Sequence, residues 1–260
     1  MPRAKRPVTD NPAPITDHLA ELRKRIGITL AAIVVASIAA FNFKEEIFGF
    51  LLVPAVEALG ADSRLQAIAP TEIFFTYIKC SLLAGFVISL PVTFWQVWAF
   101  IAPGLYDSEK KAVAPFVFFS TLLFGGGAIF GYTQVFPIVF TFFSGFSSEF
   151  VESAWTMKEV VSLTTRLFLA FGVAFELPLF VFFLSITGIL NAKQLFAGTP
   201  YAVLIIFIAA AILTPPDFVS QVFLGLPMVA LYLIGVGVAW VFQPGRRKKE
   251  ADSEEGEAAS

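Results

Sequence analysis

Long runs without Asp, Glu, Lys or Arg alternate along this chain with short charged segments. A helix rising 1.5 Å per residue needs about 20 apolar residues to cross a hydrocarbon layer ~30 Å thick, and six runs reach or approach that length. The first covers 26–43, and the second extends from about 74 to 101 with Lys79 near its start. The third opens near Ala112 and meets no formal charge before Glu149. It is too long for one span, so Gly125, Gly126, Gly127 and Pro137 are expected to bend or end it, leaving one tilted helix followed by an apolar loop. The fourth covers about 161–189 and is interrupted by Arg166 near one end and by Glu176 near its middle. The fifth, 201–213, offers about 20 Å of helix. It stops at Thr214-Pro215-Pro216-Asp217, and the sixth, 218–242, follows directly. Two consecutive prolines force the turn between them, so this pair is expected to form a short hairpin that thins the bilayer beside it.

Ahead of the first run, Ile15, Leu19, Leu22 and Ile26 are spaced as one stripe of a helix, with Thr16 or Asp17 placed to cap its start. A short amphipathic helix lying on the membrane surface is expected there. Together the pattern predicts an all-α integral membrane protein with six transmembrane helices. Its parts are a segment 1–25 carrying the amphipathic helix, a membrane domain 26–243, and a tail 244–260 that is acidic and rich in small residues, as a disordered end is.

Orientation follows from Lys and Arg, because basic loops are retained on the cytoplasmic side. One face of the predicted bundle carries Arg3, Lys5, Arg6, Arg23, Lys24, Arg25, Lys110, Lys111, Lys193, Arg246, Arg247, Lys248 and Lys249. The other carries Lys44, Arg64 and Lys158 among many carboxylates, with Lys79 and Arg166 just inside the spans as interface anchors. Both termini are therefore expected in the cytoplasm, N-in and C-in, with the chain multi-pass in the cytoplasmic (inner) membrane. The first apolar run follows a Pro-rich basic leader and precedes several others, so a cleaved signal peptide is the weaker reading.

Composition agrees with lipid as the solvent. Of 260 residues, 57% are hydrophobic, 31 are Phe, and only 15% are charged, against about 25% charged in an ordinary soluble domain. One His and one Cys, Cys80, exclude a disulfide within the chain and a His- or Cys-based metal site. The sequence has no Gly-rich phosphate loop. No cofactor, metal, nucleic-acid partner or covalent catalysis is expected.

Few polar residues stand out. Glu21 and Arg25, four apart beside His18, form at least an i,i+4 ion pair on a solvated face, worth about 0.3–0.5 kcal/mol. Pro91, Trp95, Gln96 and Trp98 lead into Pro103-Gly104-Leu105-Tyr106 and Glu109, which suits an aromatic belt and a turn at the membrane exit. Glu176 lies mid-span, where a lone ionised carboxylate costs several kcal/mol. It is either a functional intramembrane group or a protonated side chain hydrogen-bonded between helices. Asp217 stands where a helix N-cap belongs.

The segment His18-Leu19-Ala20-Glu21-Leu22-Arg23-Lys24-Arg25 closely resembles the signature that precedes the first helix of the TatC family. Pro91, Trp95-Gln96-Val97-Trp98-Ala99-Phe100, Pro103-Gly104-Leu105-Tyr106 and Glu109 are similar to that family's first cytoplasmic loop. Phe136-Pro137, Phe175-Glu176-Leu177-Pro178 and Leu213-Thr214-Pro215-Pro216-Asp217 follow in the family's order, so the resemblance spans nearly the whole membrane region. It implies the multispanning receptor subunit of the twin-arginine protein translocase, which exports folded proteins using the proton-motive force. By that resemblance Glu21 and Glu109, with His18, Arg23, Arg25 and Tyr106 around them, receive the paired arginines of a signal peptide. Glu176 becomes a polar site on a water-accessible concave face, and Asp217, Pro215 and Pro216 meet TatA- or TatB-type single-span partners. Self-association in a larger complex is implied too. The rival reading is a proton-coupled secondary transporter of a small solute with Glu176 as its ion site. The sequence shows one such carboxylate and no matching second half. A non-transporting membrane scaffold shares every compositional feature.

Overall fold

The structure is a computed structural model that describes residues 15–60, 65–101, 113–146, 155–214 and 217–242. These residues are helical almost throughout. In chain order the helices are α1 (Ile15–Phe41), α2 (Lys44–Leu59), α3 (Pro70–Ile88), α4 (Leu90–Ile101), α5 (Val113–Phe130), α6 (Phe136–Ser144), α7 (Met157–Phe175), α8 (Leu177–Ile186), α9 (Ala192–Ala197), α10 (Thr199–Leu213) and α11 (Phe218–Phe242). Among the described residues, one parallel bridge between Gln66 and Thr156 is the sole strand-like pairing. The all-α class is therefore as expected. Five helical stretches are long and apolar enough to cross a membrane: Thr16–Phe41, Pro70–Ile88, Val113–Ser144, Met157–Ile186 and Phe218–Val241. Leu90–Ile101 and Thr199–Leu213 are shorter apolar helices.

Several local expectations are corrected. The amphipathic segment is not a separate surface helix, because α1 continues from it straight into the first apolar run. No proline interrupts that passage, and Gly27 has open space around it. The third run does not end in an apolar loop either. It is helical from Val113 to Ser144, with a wider π turn at Gly131–Val135 just before Pro137. A π turn absorbs the hydrogen bond that proline cannot donate, so the helix passes Pro137 without stopping. Of the three glycines ahead of it, Gly127 is a contact point, since a Cβ there would strike the Phe171 carbonyl oxygen and come within 2.7 Å of Phe175 Cγ, while Gly125 and Gly126 face open space.

The second and fourth runs are each broken once. Ser89 separates α3 from α4, and Glu176 separates α7 from α8, with Pro91 and Pro178 in the first turn after each break. Proline is tolerated there because the first turn's N–H groups have no helical acceptor. A helix at 44–59 was not expected. Its Leu51, Leu52, Pro54 and Ala55 are buried, and Tyr132 of the π turn holds it by donating to the Phe50 carbonyl at 2.6 Å.

One large apolar cluster joins α2, α3, α6, α7, α10 and α11 around Phe136, Phe140 and Phe171. A second, smaller one gathers Trp98, Phe116, Val117 and Phe183. Outward faces carry large apolar side chains such as Val35, Ile38, Phe118, Ile129 and Ile212, as a lipid-facing surface does. Lipid removes the usual hydrophobic drive between helices, so close approach at small residues has to supply the packing. Gly85 of α3 is such a point, resting on Ser37 of α1.

At one end of the bundle the starts of α3 and α7 are stitched together. Gln66 N–H donates to the Trp155 carbonyl at 2.9 Å and Met157 N–H to the Gln66 carbonyl at 3.0 Å. The Glu72 carboxylate accepts from Ile68 N–H at 3.0 Å and from Lys158 N–H at 2.9 Å. The opposite end carries the start of α1 packed against α4.

Candidate functional site

Helical spacing puts Glu21 and Arg25 on one face of α1, turned towards α4. Arg25 donates from Nε to Glu21 Oε1 at 3.1 Å and from Nη2 to the same oxygen. Both bonds fall on Oε1, and a carboxylate holds acceptor capacity on each oxygen. Arg25 also reaches across to α4, where Nη1 meets Gln96 Oε1 at 3.5 Å. The side chains of Arg25 and Glu21 are 21% and 35% exposed, so the pair sits at the rim of the bundle rather than inside it.

Around this pair the wall is apolar. The His18 ring stacks on Phe100 with centroids 4.4 Å apart, which fixes the first turns of α1 against the end of α4. A groove of about 270 Å³ runs between the two helices, lined by Leu22, Arg25, Ile26, Gln96, Val97 and Phe100 among others. Arg23 and Lys24 are exposed and point away from burial. Tyr106 and Glu109 lie outside the described residues, as do Pro215 and Pro216. Of the predicted binding cluster, the structure therefore brings Glu21, Arg25 and His18 together with α4.

Glu176 occupies the break between α7 and α8. Its backbone N–H donates to the Val173 carbonyl at 3.1 Å, and its carbonyl accepts from Phe180 at 2.8 Å, so the chain turns without leaving helical geometry by much. The carboxyl lies near Ser120 and Phe124 on α5. Its Oε1 is buried and has no hydrogen-bond partner among the described residues. Ser120 is itself fully buried and accepts a hydrogen bond from Trp98 Nε1 at 2.9 Å.

That bond corrects the reading of Trp98 as a belt residue. Trp98 is 8% exposed and packs against Phe116 and Phe183, whereas Trp95 is 49% exposed and fits a belt. A buried indole needs an acceptor. Sequence spacing gives no sign of one, because Ser120 belongs to a different helix.

Asp217 caps α11, accepting the Ser220 N–H on Oδ1 at 2.6 Å, as its position suggested. Gln221 then ties α11 to α10 by donating to the Phe207 carbonyl at 3.0 Å. Lys79 is exposed on α3, with Nζ 3.5 Å from Ser162 Oγ, and Arg166 is exposed on α7. Among the described residues no group of His, Cys, Asp and Glu is placed to hold a metal ion.

The model of the family described as Sec-independent protein translocase protein (TatC) matches residues 17–227. The chain belongs to the TatC family. It is 41% identical over 243 residues to the Sec-independent protein translocase protein TatC of Desulforapulum autotrophicum, covering 94% of this chain and 89% of that one. Against the protein of the same description from Helicobacter pylori strain J99, identity is 42% over 237 residues, covering 91% and 93%. Among solved structures, the crystal structure of the twin arginine translocase receptor TatC superposes with a TM-score of 0.78 at 35% identity, covering 86% of this chain and 98% of that one.

As a TatC-family member the chain is a multi-pass membrane component of the Sec-independent, twin-arginine protein translocase, not an enzyme. Other components of that translocase are its partners. The small-solute transporter is set aside, since the whole membrane region aligns with protein translocase subunits.

Proposed function

We propose that this TatC-family chain is the receptor core of the translocase, binding twin-arginine signal peptides of folded cargo at the α1–α4 end. The observation that carries the reading is Glu21, a carboxylate fixed at the rim of the bundle by one guanidinium that uses only one of its oxygens. A second guanidinium from another chain finds there an acceptor already oriented and open at the rim. Arginine presents a planar fork to such a carboxylate and lysine does not, which makes a pair of arginines distinguishable from a pair of lysines. Glu109 supplies the second carboxylate from the segment that follows α4 in the chain, with Tyr106, His18, Arg23 and Arg25 shaping the surroundings.

In this reading the membrane is crossed six times, by α1, α3 with α4, α5 with α6, α7 with α8, α10, and α11. Both termini and the signal-peptide site face the cytoplasm, in keeping with the basic residues that the sequence carries in the segments assigned to that side, and the membrane is the cytoplasmic one. TatA- and TatB-type single-span proteins dock near Asp217, Pro215 and Pro216, further copies of the chain join the complex, and the proton-motive force drives transport, with Glu176 as the intramembrane polar site. A photoreactive group placed beside position 21 or 109 tests the central claim. It labels a twin-arginine signal peptide well above its twin-lysine counterpart, and equal labelling of the two removes the receptor assignment.

A further inference from the structure

Helices α3 and α7 carry the same spacing of charge. Glu72 is the third residue of α3 and Lys79 the tenth, and Glu159 and Arg166 hold the same two positions in α7. Seven residues make close to two turns, so each carboxylate shares a helix face with its cation, about 10.5 Å away along the axis. The bond from Lys158 N–H to the Glu72 carboxylate sets the two helix starts level. Glu72 is occupied by that amide and by Ile68 N–H, whereas Glu159 is exposed and its carboxylate has no hydrogen bond or ion pair among the described residues.

Lys79 leaves its helix about 13.5 Å from the first residue of α3, a depth at which a cation facing lipid is costly. Its Nζ lies 3.5 Å from Ser162 Oγ, which is level with Thr76, so the stem runs back about one turn towards the helix start. Ser162 is three residues after Glu159, which places the Lys79 ammonium about 4.5 Å along the axis inside the level of Glu159. Arg166 is exposed on the next turn of the same α7 stripe, where neighbouring Cβ atoms are about 5–6 Å apart.

A cleft of about 640 Å³ opens between the two helix starts. Glu72, Lys158 and Glu159 line its mouth, where two carboxylates against one lysine leave a net negative charge, and Lys79 lines its inner end. Phe75 and Ile78, both exposed, lead from it to the lipid-facing surface. A phospholipid with an ethanolamine headgroup has the complementary order, its phosphate next to the acyl chains and its ammonium next to water. A primary ammonium donates N–H bonds to a carboxylate. A choline has none to donate and is held by an aromatic cage, whereas Phe75 is the one ring lining this cleft among the described residues. A glycerol headgroup would leave Glu159 without a cation.

We propose that this cleft holds one ethanolamine phospholipid, with its phosphate on Lys79 and Arg166 and its ammonium on Glu159, strapping α3 to α7 beside the Glu72 stitch. On the orientation proposed above, the lipid belongs to the outer leaflet. Its binding is independent of what the chain recognises at Glu21.

Native mass spectrometry of the full-length chain in detergent, titrated with phosphatidylethanolamine, phosphatidylcholine or phosphatidylglycerol of identical acyl chains, tests the assignment. One phosphatidylethanolamine should be retained at roughly tenfold lower concentration than either of the others, as one charge-assisted hydrogen bond supplies. Glu159→Gln should bring it to the level of phosphatidylcholine and leave phosphatidylcholine unchanged. Lys79→Gln should weaken all three lipids, since each carries the phosphate. Equal retention of the three by the parent, or an ethanolamine preference that survives Glu159→Gln, overturns the proposal. Displacement of the lipid by inorganic phosphate would make the cleft an anion site and overturn it too.

Hydrogen exchange gives the second readout. In the parent, amides 156–162 should exchange more slowly in nanodiscs containing phosphatidylethanolamine than in phosphatidylcholine alone, and Glu159→Gln should remove that difference. A Glu159→Gln effect of equal size in both nanodiscs would make Glu159 and Lys79 an internal charge pair, and the lipid assignment would fall.

Discussion

Gly85 is the place where a single methyl group tests the packing of the bundle and its link to the site. A Cβ built there lies 2.5 Å from Ser37 N and 2.6 Å from Ser37 Cα, whereas ordinary contact begins at 3.4 Å. Gly85→Ala therefore forces α1 and α3 apart by about 0.8–0.9 Å, the difference between those distances. A gap of that size forfeits roughly a quarter to a half of each dispersion contact along the seam, and overpacking of this kind costs about 1–3 kcal/mol. Ser37 Oγ is nearer still, but the Ser37 backbone N and Cα stay in place when that side chain is removed, so the clash persists. Ser37→Gly combined with Gly85→Ala should remain as unstable as Gly85→Ala alone. Equilibrium unfolding of the detergent-solubilised chain by added SDS measures both. Helix α1 also carries Glu21, so the same variant should weaken twin-arginine peptide binding, although position 85 is far along the chain from Glu21. Parent-like stability of Gly85→Ala, or its rescue by Ser37→Gly, would refute the account of the α1–α3 contact.

Three further outcomes are expected. Glu21→Gln should weaken binding of a fluorescent twin-arginine peptide by roughly 10- to 100-fold, since hydrogen bonds to charged groups are worth about 1.5–3 kcal/mol. Glu21→Asp should fall between the two, and fluorescence anisotropy at fixed salt reads all three. Glu72→Ala should speed hydrogen exchange at the Ile68 and Lys158 amides selectively, because its carboxylate is the acceptor for both. Unchanged protection there would show that the stitch between α3 and α7 does not depend on Glu72. Asn191→Ala removes the cap of α9, where Asn191 Oδ1 accepts from Gln194 N–H at 2.8 Å and Gln194 Oε1 from Asn191 N–H at 2.9 Å. It should destabilise that helix by about 1 kcal/mol, seen as faster exchange confined to 192–198.

The membrane helices were legible because charge is costly in lipid, so its absence marks each run, and the breaks at Ser89 and Glu176 come just before prolines visible in the chain. Helix α2 was hidden for the opposite reason. Glu45, Glu46 and Glu57 with Pro54 interrupt its apolar run, and its docking depends on Tyr132, which is 82 residues from the Phe50 carbonyl that it bonds. The three glycines at 125–127 misled because glycine ends helices in water, whereas here the helix runs through all three and Gly127 admits a close neighbour, as glycine does between helices in lipid. At the candidate site, Glu21 and Arg25 were readable from helical spacing. The Phe100 face under His18 and the bracing by Gln96 were not, since they exist only once α1 lies on α4.

The two carboxylates differ in what an arriving partner must displace. Glu21 and Arg25 are partly exposed and four residues apart, and such pairs are worth about 0.3–0.5 kcal/mol. An incoming guanidinium can share or replace Arg25 at small cost while finding the carboxylate already pointed, which suits reversible recognition of a passing chain. Glu176 has a buried oxygen without a partner and neighbours fixed by a buried indole. An unmet acceptor in that setting costs far more than the surface pair contributes, so any group that reaches it with a donor gains strongly. On the receptor reading proposed above, weak internal pairing at the rim and unmet demand in the interior arrange the two sites in order: capture at α1 first, and commitment at the α7–α8 break only for a partner that has entered the membrane.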